Sequence, residues 1–391
     1  MISVSDALAH LFSLTSTLET ETVPLGLANG RVLASAVTAR RDQPPFAASA
    51  MDGYGVGAAG VAPGARYKVI GEAAAGHSYA GTVKPGEAVR IFTGAPVPDG
   101  VDRVIIQEDV TREGDVITLS DRLDKGTHIR PAGGDFKTGQ TIEGPRLLRP
   151  SDVALMAAMN IAEVPVTRRP KVAILSTGDE LVMPGETPNP DQIIASNSFG
   201  LQAMLRNAGA EARLLPIAKD TKASLRMAFE LIDDADLLIT IGGASVGDHD
   251  LVGDVAQELG MDRRFYKIAM RPGKPLMAGS MANGAMMIGL PGNPVSAMVC
   301  GHVFVLPVIR AMLGLSKAAS PRLSAPLATA LPANGPREHY MRARLQDGQL
   351  HSFGNQDSSL LTILSEANAL IVCPPNAAEQ PSGTPVEFIQ I

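Results

Sequence analysis

The chain has 391 residues, 45% hydrophobic and 19% charged, enough for several domains with ordinary buried cores. A net charge of −6 argues against broad nucleic-acid binding, so any anion must be held by local basic clusters. Cys300 and Cys373, the only two cysteines, lie far apart in sequence, which argues against a disulfide framework and fits a reducing cytoplasm. The start, MISVSDALAHLF, has no basic segment ahead of an apolar one, so no signal peptide is expected. No uninterrupted apolar run reaches about 18 residues, so no membrane span is expected.

Ser3 and Asp6 form a capping pair before a helical period at Leu8, Leu11, Phe12, Leu14 and Leu18. Residues 23–37 read as extended, with a turn at Asn29-Gly30. The next stretch, RDQPPFAASAMDGY (41–54), is a loop, because its two prolines forbid a helix. It presents Ser49, Asp52 and Gly53. Residues 55–145 read as an inserted β unit of short runs separated by Gly/Pro turns. Within it, RIFTGAPVP (90–98) offers Thr93 and Gly94 after a strand. HIRPAGGDFKTG (128–139) sets Arg130 and Lys137 around Gly133, Gly134 and Asp135, a solvated turn or a phosphate contact. Residues 149–161 read as a helix with Ser151 as its cap, rejoining the N-terminal unit. Arg168-Arg169-Pro170 marks a boundary.

From Lys171 strands and helices alternate, with strands at 171–176, 212–217, 236–241, 265–270 and 286–290. Helices are expected at 198–208, 223–232, 252–260 and 295–313. That pattern predicts a three-layer α/β domain with a mainly parallel sheet, whose ligands bind beyond the carboxyl ends of the strands. Four loops fall there: STGDE (176–180), the end of LLITIGGASVGDHD (237–250), RPGKP (271–275) and GLPGNP (289–294). Taken alone, Gly242, Gly243 and Ser245 fit a plain turn as well as an anion seat. Together the four loops supply Asp179, Glu180 and Asp250 for a hard cation and Lys267, Arg271 and Lys274 for an oxyanion. Residues 318–391 form a last unit of short strands, with a helix opened by NQDSSLL (355–361). A ligand role for its Ser358 competes with simple helix capping.

With these segments read, the chain resembles the molybdenum insertase family, the MoeA proteins and the E domain of gephyrin. The resemblance rests on PPFAASAMDGY (44–54), RIFTGAPVP (90–98), STGDEL (176–181), IGGASVGDHD (241–250), RPGKP (271–275) and GLPGNPVSA (289–297), in family order. It implies a multidomain α/β-plus-β chain. An N-terminal domain (1–54 with 146–169) carries an inserted β-rich domain (55–145). A MogA/MoaB-type three-layer domain (170–315) and a C-terminal β-rich domain (316–391) follow.

The resemblance also implies Mg2+-dependent insertion of molybdate into the dithiolate of adenylylated molybdopterin, with release of AMP. It implies a homodimer whose cleft is shared between subunits, with MogA-type proteins and apo-molybdoenzymes as candidate partners. Carried over by position, Asp52 and Thr93 line the cleft from the partner chain, with Arg130 and Asp135 nearby. Glu180, Asp220 and Asp250 gather at Mg2+ and the pterin nucleotide, Glu180 and Asp250 as metal ligands. Lys267, Arg271 and Lys274 hold phosphate or molybdate, and Ser358 matches only loosely. Two positions depart from the family pattern: Ala48 stands where Asn is frequent, and Arg271 where Lys is common. A protein-clustering scaffold and a nucleotidyl transferase remain rival readings of the same residues.

Overall fold

The computed structural model describes residues 1–243 and 251–391. Its centre is a six-stranded sheet in the order Glu211–Leu214, Lys171–Ser176, Leu237–Ile241, Met286–Leu290, Met277–Ser280, Asp262–Tyr266. The first four strands are mutually parallel. Met277–Ser280 runs antiparallel to them, and Asp262–Tyr266 antiparallel to it in turn. Asp262–Tyr266 therefore ends on the same edge as Ser176, Ile241 and Leu290. All residues of Leu237–Ile241 and Met286–Leu290 are buried, as a strand covered on both faces requires. One face packs on the helices Val4–Leu14, Asn197–Asn207 and Pro294–Met312. The other packs on Lys222–Phe229 and Leu251–Glu258. This is the expected three-layer α/β arrangement.

Local chemistry shifts several boundaries. The strand expected at 265–270 ends at Tyr266, because Lys267 has φ 70°, a left-handed conformation that no strand continues. Lys267 accordingly sits in a turn. Met277–Ser280 is an additional strand that the sequence reading lacked. The Pro294–Met312 helix is long and apolar enough to span a membrane, although His302 and Arg310 interrupt its apolar run. It lies mostly buried in the core. Its middle widens at Gly301–Val305, where the Leu306 N–H donates to the Gly301 carbonyl five residues back. Pro307, which has no N–H to give, follows that wide turn.

The N-terminal helix Val4–Leu14 is capped as expected: Asp6 N–H donates to Ser3 Oγ at 3.0 Å and Ser3 N–H to Asp6 Oδ2 at 3.3 Å. Thr20–Pro24 pairs with Glu163–Thr167, which pairs with Val32–Leu33, so the chain leaves this unit and returns to it. The helix on the return path, Pro150–Ala158, is capped by Asp152 rather than Ser151. The Asp152 carboxylate accepts from the Arg149 N–H at 2.9 Å and from the Arg146 guanidinium at 2.5 Å. Between exit and return lies a second six-stranded sheet built from segments within residues 53–119. The following segments, Ile129–Arg130 and Thr141–Ile142, pair back on Ala48–Ser49 and Val37–Thr38. Arg168 fastens this unit to the α/β sheet. Its guanidinium donates to both oxygens of Asp236 at 2.7 Å and to Glu19 at 2.6 Å.

A third sheet closes the chain: Glu338–Gln346 pairs with Ala369–Cys373, and Pro385–Gln390 and Leu323–Pro326 follow. Met270–Arg271, just after the α/β strand Asp262–Tyr266, adds to its edge by pairing in parallel with Glu338 and His339. The helix expected from residue 355 starts at Leu361. Asp357 Oδ1 accepts from both the N–H (2.8 Å) and the hydroxyl (2.6 Å) of Ser359, which stabilises a turn there instead.

Candidate active site

The carboxyl edge of the central sheet gathers most of the residues singled out above. The Lys171–Ser176 strand runs into Thr177-Gly178-Asp179-Glu180. Gly178 has φ 148°, and the Glu180 carboxylate folds back over it, 2.5 Å from where a Cβ would stand. The Asp179 carboxylate accepts from the Asp220 N–H at 3.3 Å. Burial, and then the charges of Asp179 and Glu180, push the Asp220 carboxyl above its ordinary value. Three carboxylates thus stand close enough for their charges to act on one another.

Gly242 and Gly243 end the neighbouring strand. Both have positive φ, 89° and 66°. A Cβ on Gly242 would meet the Thr177 carbonyl oxygen at 2.6 Å, and one on Gly243 would meet Val252 Cγ2 at 2.3 Å. Only glycine fits this close passage. Ser245 and Asp250 lie outside the described residues. A cleft of about 80 Å³ runs between these strand ends, lined among others by Thr177, Glu180, Asn197, Gly242 and Gly292.

The loop before the Pro294–Met312 helix is held at two points. The Asn197 side-chain amide donates to the Gly292 carbonyl at 2.7 Å. The Asn293 amide donates to the Ser358 hydroxyl at 3.1 Å, and the Ser358 carbonyl accepts from the Val295 N–H at 3.0 Å. Ser358 therefore does not cap the helix that follows it; its carbonyl takes a first-turn N–H of Pro294–Met312 and brings the C-terminal unit onto the rim of the α/β sheet. Asn197 and Asn293 were not singled out from sequence. The GLPGNP motif pointed to the loop but not to its amide.

The cations form one turn farther along the same edge. Lys267 N–H donates to the Leu276 carbonyl and Ile268 N–H to the Lys274 carbonyl, both at 3.0 Å, so Lys267 and Lys274 face each other across it. The Lys267 ammonium lies 4.9 Å above the Tyr266 ring. Gly273 packs against the helix below: a Cβ there would be 2.5 Å from Cys300 Sγ. Arg271 is exposed and pairs through its backbone with His339. Lys267, Arg271 and Lys274 make no ion pair with a carboxylate among the described residues. Between the Glu180 loop and this turn lie three strand spacings on the Lys274 side and four on the Lys267 side, roughly 14–19 Å.

Asp52 and Thr93 are joined to each other rather than to this edge. Asp52 Oδ1 accepts from the Thr93 N–H at 2.7 Å and from its hydroxyl at 2.8 Å. Those two bonds, with Arg90 nearby, hold the Asp52 carboxyl below the usual carboxylate range. Arg90 is fixed between Tyr54 and Phe92, 5.0 and 4.7 Å from their ring centres. Gly94 follows in the same turn, with φ 80° and its N–H on the Ser49 carbonyl. Arg130 is exposed opposite Ala48, and Asp135 N–H donates to the Gln43 carbonyl at 2.9 Å. None of Asp52, Thr93, Arg130 and Asp135 makes a side-chain bond to Glu180 or Lys274; Asp52 and Thr93 bond each other instead.

Comparison with known proteins places this arrangement. Residues 2–160 match the family described as MoeA N-terminal region (domain I and II), residues 173–311 a probable molybdopterin binding domain, and residues 324–391 the MoeA C-terminal region (domain IV). The chain is 36% identical to the molybdopterin molybdenumtransferase of Nostoc sp. over 100% of its own length and 94% of that protein. It is 37% identical to molybdopterin molybdenumtransferase 2 of Mycobacterium tuberculosis, with 94% of each chain covered. The crystal structure of the molybdopterin biosynthesis MoeA protein from Pyrococcus horikoshii superposes with a TM-score of 0.85 and 27% identity, over 100% of both chains. These matches run through all the sheets described above, and the chain belongs to the molybdopterin molybdenumtransferase (MoeA) family of molybdenum cofactor biosynthesis.

Proposed function

We propose that the protein inserts molybdate into the dithiolate of adenylylated molybdopterin and releases AMP. The observation that carries this reading is the placement on one edge of one sheet of an acidic loop and a cationic turn that makes no ion pair among the described residues. The reactants are all anionic, so their mutual repulsion is the physical problem. Lys267, Arg271 and Lys274 offset it by charge-assisted hydrogen bonds to the oxyanion, about 1.5–3 kcal/mol each. The roughly 14–19 Å between that turn and Glu180 leaves room for an extended pterin nucleotide lying along the edge. Holding both reactants there converts their encounter into a step within one complex.

The carboxylates suit Mg2+. Among the described residues no three His, Cys, Asp or Glu side chains form a metal cage. Mg2+ does not require one, since it is commonly held by one or two carboxylates, water and substrate phosphates. The crowding of Asp179, Glu180 and Asp220 is the charge arrangement that a cation relieves. In this reading Glu180 and Asp250 are its ligands, Asp220 stands beside them, and the ion supplies charge neutralisation at the phosphates. Gly242, Gly243 and Ser245 border the nucleotide, and Ser358 borders the oxyanion.

The separate surface at Asp52, Thr93, Gly94, Arg130 and Asp135 then serves the cleft of a second subunit in a homodimer. MogA-type proteins and apo-molybdoenzymes are the partners this chemistry calls for, in the cytoplasm. The division into 1–54 with 146–169, 55–145, 170–315 and 316–391 belongs to the same reading. The separate sheets support it, and the pairing of Ile129–Arg130 and Thr141–Ile142 ties part of the inserted segment to the N-terminal one.

The test is AMP release from adenylylated molybdopterin by the purified protein, with molybdate and Mg2+ each present or omitted. Release that requires both is expected. Release indifferent to molybdate would overturn the proposal.

A further inference from the structure

The mechanism above leaves one group in the cleft without a use. Thr177 is 3% exposed, and its hydroxyl is one of four buried side-chain N or O atoms that have no hydrogen-bond partner among the described residues. Of those four residues it alone lines the cleft beneath Glu180. Its backbone N–H is already committed, donating to the Ile241 carbonyl at 3.0 Å. The hydroxyl points toward the Gly242-Gly243 passage, 3.3 and 3.0 Å from the positions where Cβ atoms on those glycines would stand. A buried hydroxyl left unpaired costs the fold free energy that a valine of the same shape would not.

We propose that the Thr177 hydroxyl is a further substrate-binding group, which hydrogen-bonds an oxygen of the nucleotide when that ligand fills the cleft. The proposal rests on the functional reading above. It adds a residue between the acidic loop and the paired glycines. It also requires opposite signs in two measurements. In the free protein the hydroxyl is a burden; in the complex it is a contact.

Thr177→Val removes the hydroxyl and keeps the shape. The expected result is a melting temperature equal to or above that of the unsubstituted protein, with AMP binding in the presence of Mg2+ weakened roughly 3- to 10-fold by calorimetry. Thr177→Ser, which keeps the oxygen, should bind AMP within about twofold of the unsubstituted protein by the same bond arithmetic. If Thr177→Val does not fold, Thr177→Ala against Thr177→Ser makes the same comparison. AMP affinity unchanged in the hydroxyl-free variants would overturn the inference while leaving the functional reading intact. Failure of the unsubstituted protein to bind AMP with Mg2+ would overturn both.

Discussion

Asn293 and Ser358 meet across the seam between the α/β unit and the C-terminal unit, the amide of one donating to the hydroxyl of the other at 3.1 Å. Through this bond a loop of the last sheet is held at the head of the Pro294–Met312 helix, on the edge where the oxyanion is proposed to sit. The contact is exposed, so it contributes little to stability and its value is positional. Asn293→Ala should cost no more than about 0.5–1.5 kcal/mol in chemical denaturation. It should lower the insertion rate about tenfold or more, equivalent to about 1.4 kcal/mol of barrier. Equal, small effects on both would remove Ser358 from the site.

Asp52 and Thr93 make a similar pair on the other surface. Because two Thr93 donors hold the Asp52 carboxyl low, it stays ionised throughout the neutral range and acts as a fixed acceptor rather than a proton carrier. Asp52→Ala should therefore reduce insertion. The pH profile of the unsubstituted enzyme should show no limb between pH 5 and 9 that Asp52→Asn abolishes. Mixing Asp52→Ala subunits with Glu180→Gln subunits should restore part of the activity if the two surfaces meet across a dimer.

The cationic turn gives a salt-dependent prediction. Arg271→Ala and Lys274→Ala each remove one charge-assisted contact of about 1.5–3 kcal/mol, so molybdate affinity should fall roughly 10- to 150-fold. Arg271→Lys should recover much of that loss, since it retains the charge and loses only the planar fork. Titration of molybdate at two ionic strengths checks both statements. Affinity indifferent to these two residues would place the oxyanion elsewhere.

Stability should fall on the acid side of neutrality because two buried histidines must take up protons on unfolding. Burial holds His302 and His339 neutral and pushes both down to about 4, with Arg271, Arg337 and Arg342 adding to the effect at His339. In the unfolded chain each titrates near about 6.5. Their contribution is therefore complete above about pH 6.5 and is lost as pH falls toward about 4. Across that window unfolding takes up as many as about two extra protons, a slope of up to about 2.7 kcal/mol per pH unit. Urea denaturation between pH 7 and 5 measures it, and His302→Gln should reduce the slope by up to half.

The parts legible in the sequence were those written as period and punctuation. The buried run LLITI, the Ser3/Asp6 cap and the strand–loop–helix alternation after Lys171 reappear in place. The misplaced elements were set by single conformations that no period reports. The left-handed Lys267 cut a strand short, and Asp357 turned the chain before a helix could begin. The site was legible as loops, because glycines and clustered charges mark them. The bonds that hold those loops together were not, because Asn293 and Ser358 are 65 positions apart and Asn197 and Gly292 are 95 apart. Thr177 escaped notice for a related reason: a threonine at a strand end is ordinary until its hydroxyl is found without a partner.

Crystals grown with AMP, Mg2+ and molybdate, with data collected at the molybdenum absorption edge, test whether one sheet edge holds both reactants. The expected anomalous peak lies within hydrogen-bonding reach of Lys267, Arg271 or Lys274, with the nucleotide against Glu180 and Gly242 of the same chain. A molybdenum peak on another face, or AMP bound away from Glu180, would contradict it.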